Sequence, residues 1–171
     1  MLSVLDSNKK NEKYYQIVID NDVDENACII INQDYNLSSI SISIKSDILI
    51  QRDINKNNLL SIFVGLLRQI SSCDFALCRF NEIYNEILLN NFGFELRTKN
   101  LTCLNWLQYF GKEELELQGG MEALEANPLL KTERIHDGLL IQVGESPYDA
   151  FTPQGEELLV KATRSLPPVK K

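Results

Sequence analysis

The hydrophobic pattern of the chain changes its period along the sequence, and this change separates strands from helices. Residues 39–45 read SISISIK, with isoleucine at every second position, which is typical of a strand with one buried face. Between residues 55 and 71 the apolar residues recur at intervals of three and four, which predicts an amphipathic helix. The apolar runs at 14–20 and 27–32 predict two earlier strands.

The second half alternates between short strands and short helices. An Asp-Gly pair at 137–138 stands between two apolar runs, which predicts a hairpin of strands 129–135 and 139–143. A Thr-Pro pair at 152–153 favours the start of a helix, because threonine caps the first turn and proline suits its first position. We interpret Trp106 as a core residue. The other predicted elements are a strand at 75–79, a helix at 82–91, a strand within 101–111, and short helices at 112–118 and 121–127.

These elements predict a fold class. Strands joined by short turns favour antiparallel pairing, and amphipathic helices need a sheet face to cover. We therefore predict an α+β protein with a single domain, a mostly antiparallel β-sheet and helices packed on one face. The domain is expected to span residues 14–168, after a frayed N-terminus at 1–13 and before a tail at 169–171.

Charge narrows the functions open to the protein. The sequence has 17 Lys and Arg against 24 Asp and Glu, a formal net charge of −7, whereas a nucleic-acid-binding protein needs a basic surface. Residues 111–167 hold 11 of the acids and 5 of the bases. We predict no nucleic-acid partner, and a negatively charged C-terminal half that serves either solubility or the capture of a basic partner.

Candidate catalytic chemistry is sparse. His136 is the one histidine of the sequence and falls in the predicted hairpin turn, where we interpret it as an exposed residue without a matching nucleophile motif. Paired glutamates on short helices are typical of a solvated face. We predict that the protein is not an enzyme, with a small hydrolase that uses His136 or a carboxylate pair as an alternative.

The four cysteines lie in predicted strands and indicate no metal site. Cys73 and Cys78 are five residues apart, which fits neither a redox pair nor a usual zinc site. Together with Cys28 and Cys103 they are interpreted as buried, reduced thiols. No segment resembles a secretory signal or a membrane span, so we predict a cytoplasmic protein without membrane partner, cofactor or metal.

Several short motifs of the second half resemble a known family. They are Asn-Trp-Leu-Gln-Tyr at 105–109, two glycines at 119–120 after an acidic helix, Gly-Leu-Leu-Ile-Gln-Val-Gly-Glu-Ser-Pro at 138–147, and Leu-Pro-Pro at 166–168 after a final helix. With these motifs the chain resembles, from about residue 101 onward, the bacterial immunity proteins of polymorphic-toxin and type VI secretion systems, in particular the type VI immunity and immunity protein 52 groups. It departs from them after residue 147, where Tyr-Asp-Ala-Phe replaces a glycine-acidic turn.

The resemblance implies a non-enzymatic cytoplasmic antidote that binds and neutralises a cognate secreted toxin, in several related systems a nuclease. A nuclease groove is basic, so the acids of the C-terminal half are expected to contact the toxin there. The partner-binding residues that we predict are Glu113, Glu114, Glu116, Glu122, Glu125, Glu145, Tyr148 and Asp149. An effector chaperone or adaptor is the alternative, and an unpaired edge among the first three strands leaves a homodimer open.

Overall fold

The computed structural model describes residues 2–6, 13–19, 27–34, 37–44, 56–70, 73–80, 87, 89–93, 101 and 103–169. The strands are β1 (Leu2–Asp6), β2 (Lys13–Ile19), β3 (Ala27–Asp34), β4 (Leu37–Ile44), β5 (Phe75–Phe80), β6 (Leu107–Phe110), β7 (Lys131–Ile135) and β8 (Gly138–Gln142). The helices are α1 (Lys56–Gln69), α2 (Lys112–Leu117), α3 (Met121–Glu125), a 3-10 helix (Pro147–Phe151) and α4 (Pro153–Arg164). Within the described residues these strands form one sheet in the order β1-β2-β3-β4-β5-β6-β8-β7.

The first strand corrects the prediction of a frayed N-terminus. Residues 2–6 form β1, which pairs antiparallel with β2. The register places Leu2 opposite Ile19 and Val4 opposite Ile17. β1 has only five residues and is followed by a polar segment, so its alternating apolar residues did not indicate a strand.

One pair of strands departs from antiparallel pairing. β4 and β5 are parallel, with Ile40 opposite Ala76 and Ile42 opposite Cys78. A parallel pair needs a crossover connection, and α1 lies in the connection between these two strands. The other neighbouring pairs of described strands are antiparallel, so the sheet is mostly antiparallel and the predicted α+β class is confirmed.

Helices cover both faces of the sheet at β5, β6 and β8, whereas we expected helices on one face. On the first face, Phe63 and Leu67 of α1 belong to one apolar cluster with Ala76, Tyr109 and Leu140. Phe63 and Leu67 are almost completely buried, and burial of such side chains contributes about 1.5–3 kcal/mol each.

The opposite face holds a second apolar cluster. There, Phe75, Phe110 and Ile141 of the sheet pack with Leu115 of α2 and Leu159 of α4. Successive residues of a strand point to opposite faces, so strands buried on both faces have continuous apolar runs rather than an alternating pattern. All four residues of β6 are buried for this reason.

A buried polar pair lies at the start of β6. Gln108 is fully buried, its Nε2 donates to the carbonyl oxygen of Ala76 at 2.7 Å, and its Oε1 accepts from Asn105 Nδ2 at 2.6 Å. These bonds replace the water that the amide loses on burial. Trp106 is 5% exposed and packs in the cluster that contains Phe63, which confirms its predicted core position.

The hairpin of β7 and β8 turns at His136 and Asp137, and Gly138 begins β8. A Cβ atom at Gly138 would overlap the ring and hydroxyl of Tyr109, which is 1% exposed and donates to the carbonyl oxygen of Ile135 at 3.1 Å. The Asp-Gly pair therefore located the hairpin correctly, but for another reason. His136 takes the positive φ of 53°, and Gly138 is required by the close approach of Tyr109.

The last helix begins where the sequence predicted. Thr152 Oγ1 accepts a hydrogen bond from the backbone N–H of Gly155 at 3.1 Å, and Pro153 is the first helical residue. Leu159 and Ala162 face the second apolar cluster, so α4 closes that side of the sheet.

Candidate partner-binding surface

Helix α2 presents two of its three glutamates to solvent and turns the third inward. Glu113 and Glu116 are exposed, whereas Glu114 and Leu115 are buried. Residues three apart on a helix share one face, so the outward pair forms one acidic stripe. Lys112 is the one basic residue of α2, and it is also exposed.

Glu114 corrects one of the predicted partner-binding residues. Its side chain is 2% exposed, and its Oε1 accepts a hydrogen bond from Nε2 of the fully buried Gln118 at 2.9 Å. The two residues are one helical turn apart, so they satisfy each other beside the apolar contacts of Leu115. A carboxyl group in this position supports the helix and is hidden from a partner.

Helix α3 carries the next acids, and its two glutamates differ. Glu122 is exposed and makes no side-chain hydrogen bond or ion pair within the described part of the chain. Glu125 accepts two hydrogen bonds from Arg134, at 2.6 Å each. The hydrogen bond from this guanidinium lowers the pKa of Glu125 below its ordinary value.

Strand β7, the outermost strand beside β8, gathers three ion pairs. Lys131 pairs with Glu145, and Arg134 pairs with Glu125 of α3. A third pair joins Glu133 to Arg68 of α1 at 2.9 Å. The charged residues of β7 thus tie this edge of the sheet to three other segments, and charged side chains at an edge discourage pairing with a foreign strand. The three strands among which we expected an open edge are β2, β3 and β4, and each of them has a neighbouring strand on both sides. The edge at the other end of the sheet is instead β1, in the segment expected to be frayed.

The loop before α4 is ordered by the side chain of Asp149. Its Oδ2 accepts from the backbone N–H groups of Glu145 at 2.8 Å and Ser146 at 2.9 Å. Ser146 Oγ accepts in turn from the backbone N–H of Tyr148, which completes a capping box for the 3-10 helix. Asp149 therefore holds the loop, and its carboxylate is engaged by backbone amides.

An aromatic pair stands on this loop. The ring of Tyr148 is partly buried against the apolar cluster around Trp106, and the ring of Phe151 lies 6.4 Å away at an interplanar angle of 39°. Phe151 is 38% exposed. It was missed as a candidate because its exposure depends on how the 3-10 helix is placed on the sheet.

The eight predicted residues therefore divide into groups. Glu113, Glu116 and Glu122 are exposed on α2 and α3, and we call these three residues the acidic corner. The others have structural contacts that the sequence did not reveal: Glu114 is buried, Glu125 and Glu145 are ion-paired, Asp149 caps the loop and Tyr148 packs on the core. The basic partners Lys131 and Arg134 were missed because the position of β7 beside α3 and the loop after β8, not sequence spacing, brings them to the acids.

The residues considered for catalysis have ordinary surroundings. His136 is exposed, with Nε2 3.2 Å from the carbonyl oxygen of Leu67 at the end of α1. Burial raises the pKa of the Cys78 thiol to about 12, so this thiol is protonated and unreactive at neutral pH. Cys73 and Cys103 are also buried, and the side chain of Cys28 lies outside what the structure describes.

The described residues contain no group of three or more His, Cys, Asp or Glu side chains arranged to hold a metal ion. Among the helices in this part of the chain, none combines the length and apolar character that a bilayer crossing requires. Comparison with protein-family models, with curated proteins and with solved structures found no match. The geometry of the surface is therefore the main guide to function.

Proposed function

We propose that this protein is an immunity protein, which binds a cognate secreted toxin in the cytoplasm and neutralises it without catalysing a reaction. The acidic corner is the proposed contact surface. Its partner is a basic protein surface, such as the substrate groove of a nuclease effector.

The exposed carboxylates of Glu116 and Glu122 carry this proposal. Both lie on short helices joined by two glycines, and neither has a hydrogen-bond or ion-pair partner in the described part of the chain. Gly119 and Gly120 have φ of 97° and 95°, so they allow the tight turn between the helices that most residues resist. Glu116 and Glu122 thus hold exposed carboxylates on either side of this turn.

The physical argument concerns association with a basic groove. Carboxylates can take the places that phosphates occupy in such a groove, and a negative patch steers a basic partner toward productive encounter. This attraction weakens as salt screens it, since the screening length is about 8 Å at physiological ionic strength. The short motifs by which the chain resembles immunity proteins lie in the same half of the chain and support the same proposal.

The test begins with the product of the neighbouring gene, expressed with and without this protein. We expect the neighbour to arrest growth alone and this protein to restore growth and bind it directly. The double variant E116K/E122K should lose protection and associate at least about tenfold more slowly at low salt.

E157K is the matched control for each single variant, E116K or E122K, because it changes the net charge equally but lies on α4, where Glu157 is exposed and pairs with Lys161. It should protect as the wild type does. Unchanged protection by E116K/E122K, or an equal loss in E157K, would reject the acidic corner as the contact. Support of export without rescue of growth would instead indicate an effector chaperone.

A further inference from the structure

The aromatic pair of Tyr148 and Phe151 has a fixed geometry. Thr152 binds the carbonyl oxygen of Asp149 twice, through its backbone N–H at 2.9 Å and its hydroxyl at 2.8 Å. A Cβ atom at Gly155 would overlap the backbone of Asp149, so α4 and the 3-10 helix are in close backbone contact. An exposed ring such as that of Phe151, held on an ordered backbone, loses less conformational entropy when a partner binds than a ring on a mobile loop.

The charge around this pair is negative. Of the four acids in residues 144–160, Glu145 and Glu157 are paired with Lys131 and Lys161, which leaves Asp149 and Glu156 outside those pairs. The carboxylate of Asp149 is bound by backbone amides, and Glu156 Oε1 accepts from the side-chain amide of Asn91 at 3.0 Å. Neutral donors order these carboxylates but leave their charge in place. An apolar or acidic partner would be disfavoured beside them.

We propose that the aromatic pair binds an arginine side chain of the protein partner. A guanidinium is planar and weakly hydrated, so it can stack on the exposed ring of Phe151 while nearby carboxylates attract its charge. Lysine offers a compact, strongly hydrated charge and stacks less well. The existence of a protein partner rests on the proposed function, whereas the preference for arginine rests on the pair itself.

A peptide titration tests this preference in the full chain. Hexa-arginine and hexa-lysine are added separately at physiological salt, and backbone amide NMR shifts locate each peptide. We expect hexa-arginine to shift the amides of residues 145–156 and to bind more tightly than hexa-lysine. F151S should weaken hexa-arginine binding about two- to fivefold, whereas F151Y, which keeps a ring, should preserve it. Thermal unfolding of both variants checks that the fold is intact.

The preference for arginine would be overturned by equal hexa-arginine binding by F151S and wild type, by shifts confined to the acidic corner, or by equal affinity for both peptides. Growth protection separates this inference from the proposed function. If F151S loses peptide binding but protects fully, the pair does not contact the partner and the proposed function stands. If Phe151-dependent arginine binding is found but the wild type never rescues growth, the proposed function fails and the arginine site stands.

Discussion

The β7 edge and the acidic corner both carry exposed charged residues, but the two regions differ in how those charges are paired. Along β7, Lys131, Glu133 and Arg134 are each paired with an opposite charge from another segment. On α2 and α3, Glu116 and Glu122 are also exposed, but neither has such a pair within the described residues. The charges of the edge largely cancel, whereas no ion pair within the described residues offsets the carboxylates of Glu116 and Glu122.

This difference shows that an excess of acids does not by itself locate a binding surface. Glu125 and Glu122 are three residues apart on α3, yet Arg134 bonds only Glu125. The pairing depends on which acids lie near β7 after the sheet has formed. Pairing, rather than composition, therefore decides which carboxylates remain for a partner.

The largest expected effect comes from disrupting the hairpin that carries the paired charges. In G138A the new methyl group overlaps the buried Tyr109, and the backbone of the hairpin must shift. We expect the free energy of unfolding to fall by about 2–3 kcal/mol, as overpacking of a core does. Urea denaturation measures this loss.

Gly65 provides the matched control. It lies inside α1, and a Cβ atom there meets nothing within 4 Å. G65A should stabilise the protein by up to about 1 kcal/mol, because alanine favours a helix. Equal stability of G138A and G65A would contradict the packing role assigned to Gly138.

A smaller loss of stability should distinguish the buried Glu114 of α2 from the exposed Glu116. E114A removes the acceptor of the fully buried Gln118 amide, so we expect a loss of about 1–3 kcal/mol. E116A removes an exposed side chain without a described hydrogen bond and should change stability by less than about 0.5 kcal/mol. Thermal unfolding of both variants gives the comparison.

In a measurement of partner binding, E116A should have a larger effect than E114A. E116A is expected to slow association with the basic partner, whereas E114A should affect it only through stability. A normal stability for E114A would show that the burial of Glu114 is not important for the fold. A strong loss of stability in E116A would place that residue in a structural role.

The smallest change in stability is expected when Arg134 is replaced, which leaves Glu125 without its ion pair. In R134Q, the pKa of Glu125 should rise toward its ordinary value of 4.5, because the guanidinium that lowers it is gone. A lowered carboxyl pKa contributes stability above pH 4.5 and loses that contribution as pH falls through the lowered pKa. The stability difference between R134Q and wild type should therefore disappear in acid.

Carboxyl NMR titration of Glu125 measures this shift. Glu157 is the internal control, since the hydrogen bond from Lys161 lowers its pKa independently of Arg134. The pKa of Glu157 should be the same in both proteins. If the pKa of Glu125 also stays unchanged in R134Q, then the ion pair seen at β7 does not form in solution.

Local patterns were enough to predict most elements of the fold. The helix expected at 55–71 is α1 at Lys56–Gln69, and the hairpin and the final helix also lie where their turn and capping residues indicated. The two covered faces and the parallel pair of β4 and β5 were not predicted. They depend on where α1 crosses the sheet, and the spacing of apolar residues within a strand or a helix carries no information about that crossing.

The candidate surface was predicted less completely. The acids of α2 were recognised, but nothing in the order of Glu113, Glu114 and Glu116 showed which one the helix would bury. The direction of a side chain on a short helix depends on the angle at which that helix meets the sheet. Phe151 was missed for the same reason.

By itself, the sequence determined the periods, the turns, the caps and the concentration of acids in residues 111–167, because these features depend on near neighbours in the chain. Only the tertiary structure decided that β7 would bring Arg134 to Glu125 and Arg68 to Glu133, and that Glu114 would be buried. Charge pairing and burial depend on distances between segments far apart in sequence, and those distances exist only once the sheet has assembled.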